Sequence, residues 1–139
     1  MHYATPEWME RQLPDWMFDK YEVIIVPYGT PITDIKSQIN PSTTAIIGFS
    51  AGGIDVLKNY NKNYAFVGLI DPSTRGSYVN TEYGKNTYMM YNPKNWGGAN
   101  KSLSPVGKRV AATGGTSVLL NMKHSDIPKY FFETYFKHK

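Results

Sequence analysis

Cysteine is absent from this 139-residue chain, which excludes disulfide bonds, a thiolate nucleophile and thiolate ligation of a metal. Histidine is nearly as scarce, with His2, His124 and His138 alone. None stands at a metal-binding spacing such as H-E-x-x-H, so neither a metal nor another cofactor is expected. No apolar run approaches the ~20 residues of a membrane-spanning helix. Acidic and aromatic residues from Glu7 onward replace the basic-then-apolar order of a secretory signal, and a cytoplasmic protein without membrane association is the expectation. The spacing of Gly48, Gly52 and Gly53 does not give G-x-G-x-x-G, and no lysine follows them. A dinucleotide fingerprint and a P-loop are both missing.

What is present is an ordinary globular composition, 41% hydrophobic and 19% charged, which suits a single domain spanning residues 1–139. The net charge of +4 permits weak attraction to nucleic acid, but the basic residues are scattered along the chain rather than gathered on one stretch. Lysines interleave with tyrosines between Tyr78 and Lys101, as a surface for single-stranded nucleic acid would require. The reading preferred for that region is a loop beside a pocket, with Tyr83, Tyr91 and Trp96 shaping an apolar site, and no nucleic-acid partner is expected.

Hydrophobic periodicity divides the chain into alternating elements. Residues 6–20 predict a helix, with Thr5 and Pro6 as cap and first-turn pair and an interruption near Pro14. Residues 21–27 predict a strand apolar on both faces, closed by a turn at Tyr28 and Gly29. Ile32, Ile35 and Ile39 predict a helix over 33–39. Further strands are predicted at 44–49, 64–70, 86–91 and 117–122, and helices at 51–61, 105–112 and 125–139. Strands separated by helices, with no short hairpin signal, imply an α/β fold: three layers, a mostly parallel sheet of about five strands, and helices on both faces.

The chain is organised around Gly48-Phe49-Ser50-Ala51-Gly52-Gly53, where a β-branched run breaks into small residues and then into helical spacing. Such a strand–turn–helix setting exposes a serine hydroxyl and aims helix N-terminal N–H groups at a developing negative charge. A tightly packed βα turn with an inert serine is the plainer alternative. In a parallel sheet reactive groups gather beyond the carboxyl ends of the strands. Ser50, Asp71 and His124 each follow a predicted strand. A serine needs a base to take its proton, and the imidazole that does so needs an acid to set its tautomer.

The elbow and the order Ser, Asp, His resemble the α/β-hydrolase family, from about Tyr21 to the C-terminus, as a small, trimmed, lipase- or esterase-like member. By that resemblance Ser50 is the nucleophile, His124 the general base and Asp71 the acid, in a Leu69-Ile70-Asp71-Pro72 context found in some lipase-like members. Many members carry the acid one strand later, where this chain has Asn92 and Asn95. The resemblance implies an oxyanion hole using the Ala51 N–H with a second donor at Tyr28 and Gly29, or alternatively near His2 and Tyr3. It implies a small-molecule acyl substrate contacted by Phe49, Tyr91 and Trp96. The expected activity is serine hydrolysis of an ester, thioester or amide through an acyl-enzyme; a catalytically silent binding or regulatory protein is the alternative. The chain is short for the family, which leaves open a homo-oligomer in which a second copy supplies missing strands.

Overall fold

The structure, a computed structural model, describes residues 5–31, 35 and 39–136. Two short helices open it, α1 (Pro6–Gln12) and α2 (Asp15–Lys20). Thr5 Oγ1 accepts the Trp8 N–H at 3.1 Å and caps α1, with Pro6 in the first turn where a missing N–H does no harm. Pro14 separates the two helices, since it cannot donate within a continuous one.

Four strands follow: β1 (Ala45–Phe49), β2 (Phe66–Ile70), β3 (Thr87–Tyr91) and β4 (Thr116–Leu119). They form one all-parallel sheet in the order β1-β2-β3-β4. Between them lie α3 (Gly52–Lys58) and α4 (Leu103–Ala112), and α5 (Ile127–Thr134) closes the described chain. Phe49 pairs with Ile70, Ile70 with Met90, and Tyr91 with Leu119. This register aligns the carboxyl ends of all the strands on one rim.

Alternation along β2 sorts the core into two layers. Val67 and Leu69 face Val56 and Leu57 of α3 and Leu103, Val106 and Val110 of α4. Phe66 and Ile70 face Ile127, Phe131 and Phe132 of α5, with Leu13 and Met17 of the opening helices. Every residue of β2 is buried, and each such large apolar side chain contributes about 1.5–3 kcal/mol.

The strand predicted at 21–27 does not join the sheet. That segment makes no ladder hydrogen bonds, so the described residues hold four strands rather than about five. Its alternation survives: Val23 and Ile25 turn toward the α5-side cluster, whereas Ile24 is 49% and Val26 37% exposed. A cavity separates the segment from the outer edge of β1. The helix predicted at 33–39 lies largely outside the described residues. Among the described residues, no helix is long and apolar enough to cross a membrane.

Candidate active site

Ser50 follows β1 with φ +56°, a left-handed conformation that costs a non-glycine residue about 1–3 kcal/mol. The surroundings enforce it. The Ser50 N–H donates to the Ile70 carbonyl at 3.1 Å, and the Ser50 carbonyl accepts the N–H groups of Gly53 and Ser73, both at 2.9 Å. Two glycines make room for this turn. A Cβ on Gly48 would come within 2.6 Å of the Gly52 carbonyl oxygen, and one on Gly53 within 2.4 Å of Pro72 Cβ, so β1, α3 and the residues after β2 touch by backbone. Gly52 has open space around it and is not required by packing. Ala51 is the N-cap of α3, where backbone N–H groups lack intrahelical partners.

Asp71 directly follows β2, also with positive φ (+40°), and its side chain is fully buried. A buried carboxylate demands donors. Oδ1 accepts the Asn92 backbone N–H at 2.9 Å, and Oδ2 accepts the Asn95 side-chain amide at 3.1 Å. The same Oδ2 lies 2.6 Å from His124 Nδ1. An Nδ1–H that donates to Asp71 leaves Nε2 as the free acceptor of the ring. The imidazole is held between aromatics, stacked on Phe49 at 4.6 Å between centroids and met edge-on by Trp96 at 5.3 Å. Stacking on Phe49 sets the imidazole against the residue next to Ser50. Among the described residues no hydrogen bond joins Ser50 Oγ to His124.

The segment after Asp71 is tied down as well. Asn100 donates to the Pro72 carbonyl at 2.8 Å and accepts the Thr74 N–H and hydroxyl at 3.1 and 2.8 Å. Thr74 also bonds to the Ser102 hydroxyl. Arg75, at φ +48°, donates to the Tyr28 hydroxyl at 2.9 Å. That bond, with Gly29 N–H to Asp55 Oδ2 at 3.4 Å, brings the Tyr28 turn to the α3 side of the elbow. The rival donors His2 and Tyr3, and His138, lie outside the described residues.

Two of the aromatic residues placed beside the pocket by sequence belong to the core instead. Tyr91 is 7% exposed, and its ring lies on Gly107, where a Cβ would meet Tyr91 Cζ and Oη at 2.6 Å. Alternation in β3 decides this, because Met90 faces the α5 layer and Tyr91 the α4 layer. Tyr83 is buried too and donates to the Tyr78 carbonyl at 2.8 Å. Burial is the main cause pushing its phenol up to about 12. Trp96 does reach the site, with its Nε1 buried and without a hydrogen-bond partner among the described residues.

Asn92 and Asn95 are the residues whose part the sequence concealed. Read as the lack of a carboxylate, they hold the carboxylate that comes from the neighbouring strand. The visible signal was Asn92-Pro93-Lys94-Asn95 directly after a strand, an asparagine-led turn in which Asn92 Oδ1 accepts the Lys94 N–H at 3.1 Å.

Beside Ser50 a cavity of about 280 Å³ runs along the outer edge of β1, walled by Met9, Leu13, Ile25, Ile47, Phe49 and Phe132 among others. Among the described residues, no group of three or more His, Asp or Glu side chains converges as metal ligands would. No family model, curated protein or solved structure matches the chain.

Proposed function

We propose that this protein is a serine hydrolase of reduced α/β-hydrolase type, cleaving an ester, thioester or amide by acyl transfer. The observation that carries the reading is the 2.6 Å contact between Asp71 and His124, residues 53 apart in sequence, at the rim where Ser50 is held in a strained turn. Ser50 Oγ attacks the substrate carbonyl while His124 Nε2 takes its proton. Buried Asp71 balances the imidazolium. The Ala51 N–H and a donor from the Tyr28–Gly29 turn face the oxyanion. His124 then protonates the leaving group, and a water deprotonated by the same imidazole clears the acyl-enzyme. The apolar cavity beside Ser50 takes the acyl chain, with Phe49 and Trp96 against the reacting end.

In this reading residues 1–139 act as one domain in the cytoplasm on a small acyl substrate. The absence of a Ser50–His124 hydrogen bond favours a second reading, a silent binding protein on the same scaffold; in resting enzymes, however, such bonds are often long and tighten only with substrate.

A fluorophosphonate probe separates the two. Labelling of the wild type, lost in Ser50→Ala, is the expected result; a folded wild type that stays unlabelled selects the silent reading.

A further inference from the structure

We infer that Asn95 is a positioning residue that sets the acid against the base, an inference that rests on the hydrolase reading for its catalytic consequence. One side-chain nitrogen of Asn95 uses both of its hydrogens. It donates to Asp71 Oδ2 at 3.1 Å and to the Met122 carbonyl at 3.0 Å. Asp71 Oδ2 is the oxygen that His124 Nδ1 meets at 2.6 Å, and Met122 lies two positions before His124 in the chain. A single amide therefore bolts the carboxylate from the end of β2 to the backbone that delivers the imidazole.

Asn92 does the complementary work from inside. It is 5% exposed, gives its backbone N–H to Asp71 Oδ1 at 2.9 Å and its side-chain amide to the same Met122 carbonyl at 3.0 Å. Among the described residues, the donors to Asp71 apart from His124 are uncharged amides. A lysine or arginine in their place would cancel the carboxylate; amides orient it and leave its charge to face the imidazole. Asn92 remains when Asn95 is changed, and Asn95 is exposed, so the turn keeps its inner support and the fold tolerates the substitution.

The test compares wild type with Asn95→Ala, and with Asn95→Asp, which keeps the shape but removes both donors. Two quantities are read: the rate of Ser50 labelling by a fluorophosphonate, and the far-downfield proton NMR signal of His124 Nδ1–H. The expected result is labelling slowed by up to about 100-fold in Asn95→Ala, with that proton signal lost or broadened while the melting curve stays cooperative. Asn95→Asp is slower still, because its carboxylate opposes that of Asp71. A folded Asn95→Ala protein that keeps both the wild-type rate and the wild-type proton signal overturns the inference. A wild type that shows the signal but no labelling, with the signal lost in Asn95→Ala, leaves the positioning role standing and removes the hydrolase.

Discussion

The rim of the sheet and the layer beneath α4 use polar groups in opposite ways. At the rim, short polar side chains are pinned by several partners each. Asp71 meets Asn92, Asn95 and His124, and both backbone groups of Ser50 are bonded despite its positive φ. Beneath α4, Tyr83 and Tyr91 are treated as hydrophobes with one polar tip each, and their rings fill the space among Leu103, Val106 and Val110. Rim residues are thus strained and over-determined, which is what preorganised chemistry requires. The tyrosines below are there for volume.

Substitutions should separate these two kinds of residue. The largest effect is expected at Asp71→Asn, which keeps shape but removes the charge facing His124. If the proposed hydrolysis is what the site does, turnover should fall by about 10⁴-fold with the fold intact by circular dichroism, and wild-type rates in that variant would remove Asp71 from the chemistry. Next comes the elbow, where rim and core meet. Gly53→Ala drives a methyl into Pro72 and should cost about 1–3 kcal/mol in urea unfolding, whereas Gly52→Ala, with open space around it, should leave stability unchanged or raise it by up to about 1 kcal/mol. Equal losses at both positions would mean that the contact with Pro72 is not what demands glycine.

The smallest effect concerns the tyrosine layer and shows only at alkaline pH. The folded state holds the Tyr83 proton up to about 12, against 10.0 ordinarily, so between those values the unfolded chain binds fewer protons than the folded one. Tyr83 therefore leaves stability undiminished below pH 10 and lowers it as pH rises toward 12. Urea midpoints measured from pH 8 to 12 should show that decline, and Tyr83→Phe should flatten it without altering Ser50 labelling at neutral pH. An unchanged slope in Tyr83→Phe would assign the alkaline loss to another group.

Much of the scaffold was legible because local rules sufficed. The β-branched and aromatic runs ending at Phe49, Ile70 and Tyr91 are strands, and Gly48 and Gly53 mark a place where backbones touch. The break at Pro14 follows from a missing N–H. Less legible was anything that depended on a partner far along the chain. Residues 21–27 alternate as a strand does, yet pairing needs a neighbour at hydrogen-bonding distance, and a cavity lies there instead. Tyr91 reads equally well as pocket or core, because alternation fixes that it opposes Met90 but not which helix layer covers it. Asn92 and Asn95 read as a gap in a pattern; their donors acquire meaning only once Asp71 arrives from the adjacent strand.

By itself, then, the amino-acid order determined the alternation of strands and helices and the placing of a serine and an aspartate directly after two strands and of a histidine several residues after another. These follow from side-chain periodicity and from the conformational range of glycine and proline, which act over a few residues. Tertiary structure alone decided that Asp71 meets His124, that two asparagines clamp the pair, and that the open edge of β1 borders an apolar cavity. Each of those outcomes depends on the register between strands and on which face each helix covers, and such long-range packing is not encoded at any single position.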